Sequence, residues 1–262
     1  MGVRAMDTGL NRGNPADADL LTQFRGAVMQ DLTMLAVLHD AEPDQALISS
    51  LRDTGFPGGL GLKLESKMGR EALDLLADAI KALPEPVGPS MLDELACDYA
   101  DIYLTHAYQA SPDESVWIDE EHLEHQEPMF QVRAYYRRHG LAAPNWRKRA
   151  DDHLVLQLQF LAHMFDPEKA EDGLREAARF MDEHLLRWVI RFANRVASRC
   201  RTSYFAGVAL LTAGYCEELR DVLKKILGEP RPTPDQIEER LKPKQKAHEI
   251  PVKFMPGMGP SW

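Results

Sequence analysis

No apolar run in the 262-residue sequence approaches the roughly 20 residues that span a bilayer. The opening MGVRAMDTGLNRGNPADAD is polar and lacks an apolar core, so it does not read as a secretory signal. Met6 stands where a myristoylation motif requires Ser or Thr. Cysteine is scarce: Cys97, Cys200 and Cys216 lie far apart with no CxxC pair. That odd, scattered set excludes a disulfide framework and predicts reduced, mostly buried thiols in a cytoplasmic protein. Positive charge is short as well, 31 Lys and Arg against 41 Asp and Glu, for a net charge of −10. A nucleic-acid binder needs a basic patch to neutralise phosphates, and the short basic clusters here are not interleaved with aromatics. Hairpin signals and a repeat period are also missing.

The shortage of positive charge has an address. From Ala82 to Val132 there is no lysine or arginine, and the window holds twelve acids. They are Glu85, Asp93, Glu94, Asp98, Asp101, Asp113, Glu114, Asp119, Glu120, Glu121, Glu124 and Glu127. The rest of the chain therefore sums to +2. Tyr99, Tyr103, Tyr108, Trp117 and Phe130 are threaded among the acids. Such a surface suits a partner that is both basic and apolar, although charged runs also serve simply as solvated faces.

Almost every other segment has helical periodicity. Leu20, Leu21, Phe24, Val28, Leu32, Leu35 and Leu38 predict a helix from Pro15 to His39. A shorter helix over Pro43–Asp53 stops at GFPGGLG, and Ser66–Leu83 resumes the pattern. PEPVGPS (Pro84 to Ser90) reads as a stiff connector and possible hinge. The stripe Leu92, Leu95, Tyr99, Ile102, Tyr103 and His106 predicts a helix reaching about Gln109. Periodicity lapses between Ala110 and Gln126, and a loop of that length is often functional. Helix returns from Pro128 to Gly140, followed by a basic loop with Arg147, Lys148 and Arg149. Asp151 or Asp152 is then expected to cap the most apolar helix of the chain, Leu154 to Phe165. A stretch opening at Pro167 should break near Asp182 to His184, and a last long helix covers Ser203–Leu227. The expected fold is all-α, a single globular bundle of eight or nine helices over residues 15–228. It would be flanked by a disordered segment 1–14 and a Pro-rich extended tail 229–262, with a possible short helix over Asp235–Leu241.

Catalytic patterns fare poorly. His122 and His125 with Glu121, Glu124 and Glu127 are a metal-ligand composition, but they fall in the least helical stretch, and a di-iron bundle would need a second Glu-x-x-His. No metal or cofactor is expected. His39-Asp40 could be the dyad of a helical metal-dependent hydrolase, yet no histidine precedes it to complete that site. No Ser or Cys occupies a Gly-rich elbow. Asp151-Asp152-His153 at a helix start reads either as a dipole-complementing cap or as a polar site.

Five segments in succession carry a resemblance: DYADIY (Asp98 to Tyr103), ESVW (Glu114 to Trp117), EPMFQVRAYYRRHG (Glu127 to Gly140), the DDH-led apolar helix (Asp151 to Phe165) and FMDEHLLRW (Phe180 to Trp188). Together, over about Leu92 to Leu223, they resemble the TorD/DmsD family of cytoplasmic chaperones for exported molybdenum-cofactor enzymes. The resemblance implies a non-enzyme that binds the twin-arginine leader and the apo catalytic subunit of a molybdopterin oxidoreductase until its cofactor is inserted. It also implies leader-binding roles for Tyr99, Ile102, Tyr103, Ser115, Trp117, Asp152 and His153. Leu104-Thr105-His106-Ala107 stands where the family commonly has a Gly-Pro turn. Such chaperones occur as monomers or swapped dimers. The nearest alternative is an assembly factor of the nitrate-reductase type, serving a cytoplasm-facing enzyme. Paired arginines followed by an apolar stretch would suit carboxylates beside an aromatic groove.

Overall fold

The computed structural model describes residues 15–119, 121–145, 149–168 and 172–242. The expectations for residues 1–14, for Arg147 and Lys148, and for the tail beyond 242 lie outside them. The described residues are all-α, with no strand among them. Eleven α-helical segments occur there: α1 (Pro15–Asp40), α2 (Gln45–Asp53), α3 (Lys67–Ala82), α4 (Pro89–Tyr99), α5 (Ser115–Ile118), α6 (Glu127–Arg138), α7 (Leu154–Phe165), α8 (Asp172–Glu183), α9 (Val189–Arg199), α10 (Ser203–Leu227) and α11 (Pro234–Leu241). The count exceeds eight or nine because the lapse in periodicity hides the single turn α5 and the tail contributes α11.

The core is built around α7, ten of whose twelve residues are buried. A helix apolar on every side must be surrounded on every side; α1 and α8 pack against it. The second layer is α10 against α3 and α9. Close approach of α3 and α10 depends on glycine. A Cβ on Gly207 would stand 2.8 Å from Leu76 Cα, and one on Gly214 would stand 3.3 Å from Gly69 Cα. Glu218 of α10 accepts from the Glu65 and Ser66 backbone N–H groups, both at 2.9 Å, just ahead of α3. Arg220 of α10 forms a buried fork onto Asp182 of α8 at 2.9 and 2.7 Å.

Several boundaries differ from expectation, each for a local reason. The helix predicted to reach Gln109 stops earlier. After α4 the backbone loosens into a π-helical turn, Ala100–Leu104, closed by Thr105 N–H donating to Ala100 C=O at 2.8 Å. His106 (φ 55°) and Gln109 (φ 50°) then enter the left-handed region, which no helix continues through. Pro167 lies in a turn ahead of α8. The break at Asp182 to His184 is present: α8 ends at Glu183 and a 3-10 turn, Leu185–Arg187, follows. PEPVGPS is fastened to α2, with Val87 N–H donating to Gln45 at 2.7 Å and Arg52 donating to the carbonyls of Ile80, Leu83 and Pro84. Residues 229–242 begin the expected tail and hold α11 where the short helix over Asp235–Leu241 is expected, started by a Thr233–Gln236 capping box. It is tied to the body by the Arg187–Glu238 pair and by Gln131 donating to Leu241 C=O at 3.3 Å. Of the cysteines, only Cys216 is buried; Cys200 is half-buried and Cys97 exposed, because Cys97 falls on the solvent side of α4.

Candidate functional site

The passage between the π turn and α6 is pinned on two sides. On one side, arginines one turn apart along α9 donate to its main-chain carbonyls. Arg191 reaches Trp117 C=O at 2.7 Å, Arg195 reaches Gln109 C=O at 3.0 Å, and Arg199 reaches Tyr108 C=O at 2.8 Å. On the other side, the passage pairs with the lead into α7. Asp113 and His153 form an isolated antiparallel bridge, and Leu154 N–H donates to Pro112 C=O at 2.8 Å.

Behind that bridge lies a polar network with almost no exposed surface. Asp152 Oδ2 accepts from Ser115 N–H at 2.8 Å and from Ser115 Oγ–H at 2.6 Å. Glu114 spans the next gap, with Oε1 2.9 Å from His184 Nδ1 and Oε2 accepting from Gln157 at 2.7 Å. Gln157 also donates to Asp152 C=O at 3.0 Å. Burial lifts the Asp152 carboxyl to about 6 against the pull of the Ser115 hydrogen bonds, and Glu114 adds to the rise. Burial, then the neighbouring Asp152, raises Asp113 well above the usual carboxylate range. The cap of α7 is His153 itself, whose Nδ1 accepts from Val155 N–H at 3.1 Å. Neither aspartate caps the helix, because Asp152 is engaged by Ser115 and Asp151 by Arg133 at 2.8 and 3.1 Å. Burial depresses His153 well below an ordinary imidazole.

Tyr99, Ile102 and Tyr103 form a second group that faces the core. Tyr99 OH donates to Asp40 C=O at 2.8 Å, and Ile102 is fully buried. Tyr103 begins a chain whose protons can be assigned. Thr212 Oγ donates to Val208 C=O at 2.9 Å, so it must accept from His39 Nε2–H at 2.9 Å. His39 Nδ1 is then the acceptor for Tyr103 OH at 2.5 Å. Burial drives the His39 pKa down to about 3. The His39-Asp40 dyad therefore does not act as a pair, since Asp40 points outward to an ion pair with Arg149.

Of the seven candidate residues, six are buried and Trp117 is the only one partly exposed. Its ring lies under Arg191 and Arg195, and its Nε1–H donates to Ser111 C=O at 2.8 Å. Ser115, Asp152 and His153 meet in one cluster with Trp117 two residues along the chain, while Tyr99, Ile102 and Tyr103 form a separate buried group with His39 and Phe205. Asp98, Glu114, Gln157 and His184 join these seven without having been candidates: the sequence shows the first two only as acids of the window. Asp98 is fully buried and accepts from Arg201 N–H, Thr202 N–H, Thr202 Oγ–H and Tyr108 OH. Its signal was present: a carboxylate between Leu95 and Ile102 sits inside an apolar stripe.

What the passage shows to solvent is acidic and apolar. Glu121, Glu124 and Glu127 are exposed, and Leu123 and Phe130 each keep 49% of their surface accessible. A groove of about 620 Å³ beside α6 is lined by Met129, Phe130, Leu141, Ala142 and Ala143, with Arg133, Arg137, His125 and Asp151 also on its wall. Among the described residues no group of three or more His, Cys, Asp or Glu is placed to hold a metal ion, and His122 Nδ1 instead lies 2.9 Å from Val116 C=O.

A family model, nitrate reductase delta subunit, matches residues 65–194, which holds the π turn, the pinned passage and the buried network. The chain belongs to the nitrate reductase delta and TorD chaperone family, whose members are maturation chaperones of redox enzymes and not enzymes themselves. Among its relatives, the chaperone protein TorD of Vibrio parahaemolyticus is 26% identical over 185 residues, covering 68% of this chain and 84% of that one. TorD of Vibrio cholerae is 26% identical over 218 residues, covering 80% and 96%. TorD of Photobacterium profundum is 24% identical over 170 residues, covering 62% and 76%. No helix among the described residues is long and apolar enough to cross a membrane.

Proposed function

We propose that this chain is a cytoplasmic chaperone for a molybdenum-cofactor oxidoreductase. It binds the twin-arginine leader and the apo catalytic subunit, and it holds them from export until the cofactor is inserted. The observation that carries this reading is the pairing of an exposed acid-and-apolar passage with a buried scaffold beneath it. Glu121 and Glu124 offer carboxylates to a pair of guanidinium groups. Trp117, Leu123 and Phe130 offer apolar surface to the stretch that follows in a leader. Ser115, Asp152 and His153 set the shape of the passage, and Tyr99, Ile102 and Tyr103 act from the core, anchoring the helical turn that leads into it. Asp152 acts from within, since its carboxylate has no exposed surface.

The test is calorimetry of the full chain with a synthetic twin-arginine leader peptide. Trp117→Ala and Glu121→Lys/Glu124→Lys should each weaken binding about tenfold, the loss of about 1.4 kcal/mol. Wild-type binding should also weaken as salt is raised. Unchanged affinity in both variants, with no salt dependence, would refute the assignment. The name of the matching family favours a second reading, an assembly factor for a cytoplasm-facing molybdoenzyme. A pull-down separates the two, because that client carries no twin-arginine leader.

A further inference from the structure

The segment beyond Lys242 repeats, within the chain, the chemistry proposed for the leader. Its sequence is PKQKAHEIPVKFMPGMGPSW. Lys244 and Lys246 come first, and Ile250, Val252, Phe254 and Met255 follow, so positive charge precedes apolar residues in the same chain direction as in a leader. Over Lys242 to Lys253 there are four lysines and one acid, Glu249. The acid-rich stretch 119–127 has the opposite sign, five acids and no lysine or arginine. Glu121 and Glu127 have no lysine or arginine partner among the described residues.

The structure also fixes where this segment departs. Leu241 C=O accepts from Gln131 on α6, and Leu241 and Lys242 border a small cleft with Asp119 and Glu127. The acids are therefore at the point of exit. The groove with Phe130 lies along the same helix, its apolar lining of Met129, Phe130, Leu141, Ala142 and Ala143 edged by Arg133 and Arg137. A helix with its side chains is about 10–12 Å across, and the eight residues from Lys242 to Ile250 can extend about 27 Å. Ile250 to Met255 can thus reach the groove while Lys244 and Lys246 pass the acids.

We propose that residues 243–262 dock in cis on α6 and the 119–127 passage, lysines against Glu121, Glu124 and Glu127, and the IPVKFM segment in the groove at Phe130. An occupied groove covers the exposed half of Phe130. The segment is then an internal competitor for a leader, a consequence that rests on the function proposed above. A tethered competitor needs little intrinsic affinity, because a short linker supplies a millimolar effective concentration.

The docking is tested on the wild-type full chain by zero-length carbodiimide cross-linking, which joins a lysine to a carboxylate only in direct contact. Isopeptide links from Lys244 or Lys246 to Glu121, Glu124 or Glu127, found in the monomer band and unchanged on dilution, are expected. Links confined to a dimer band, or links to carboxylates elsewhere, would overturn it. The competition is tested by calorimetry with the leader peptide on the full-chain variant Lys244→Glu/Lys246→Glu/Phe254→Ser. Affinity should rise several-fold over wild type, and equal or weaker affinity would overturn the competitor role. A leader that binds neither chain would sink the proposed function, while the cross-links would still judge the docking.

Discussion

His39 should make stability depend on pH in a way a single substitution can remove. The imidazole accepts from Tyr103 and donates to Thr212, whose own hydroxyl proton is committed to Val208. A second ring proton would have to displace the Tyr103 hydroxyl proton from their shared bond, and burial holds the pKa near 3 against 6.5 when unfolded. Between those values the unfolded chain binds a proton that the folded chain does not. The stabilising contribution is therefore complete above about 6.5 and lost as pH falls toward about 3. From pH 7 to pH 5 the loss from this one group is about 2 kcal/mol, set by the unfolded imidazole titrating through its range. His39→Gln keeps an acceptor for Tyr103 and a donor for Thr212 but does not titrate. It should cost about 1–3 kcal/mol at pH 7 through lost ring packing against Tyr103 and Phe192. Urea unfolding of both chains at pH 7 and pH 5, with unchanged slopes, measures the difference. His153, depressed for the same reason, and Asp113 and Asp152, whose raised values act in the opposite sense, are common to both chains and cancel. The variant should lose about 2 kcal/mol less than wild type on acidification. Equal losses would refute the proton assignment.

Two further outcomes follow from packing. Gly207→Ala forces a Cβ against the Leu76 backbone and should destabilise by about 1–3 kcal/mol, more than Gly214→Ala, where the gap is wider; denaturant midpoints that rank the two the other way would contradict the α3–α10 fit. Arg220→Met leaves the Asp182 carboxylate buried and unpaired, at a cost of about 3–5 kcal/mol, and adding Asp182→Leu should recover most of it; a double variant no more stable than the single would show that the pair is not the source of the loss.

The helices were legible because their apolar periodicity is local: α1, α3, α7 and α10 are read within a residue or two from their stripes. The site was legible only in part. The junction of ESVW and DDH could be named from the succession of segments, but Ser115 and Asp152 meet across 37 residues of chain, and periodicity does not report such a distance. Nor does it report direction. Asp152 and Tyr103 are binding groups by the family resemblance alone, and the fold turns both side chains inward, where they make hydrogen bonds to Ser115 and His39. Glu114 stands in the sequence only as one acid among twelve, because a carboxylate in an acidic loop looks solvated until His184 and Gln157 are brought to it. The π turn was invisible because one extra residue in a helical turn leaves the local composition unchanged.

The attachment of the acidic passage to α9 has an evolutionary corollary. Arg191, Arg195 and Arg199 hold the passage by the oxygens of Trp117, Gln109 and Tyr108 main chain. A carbonyl is the same acceptor whatever residue carries it. The exposed side chains of Glu121, Leu123, Glu124 and His125 can therefore be exchanged without loosening those three anchors. Divergence toward new clients becomes a matter of repainting a surface whose frame is fastened from behind.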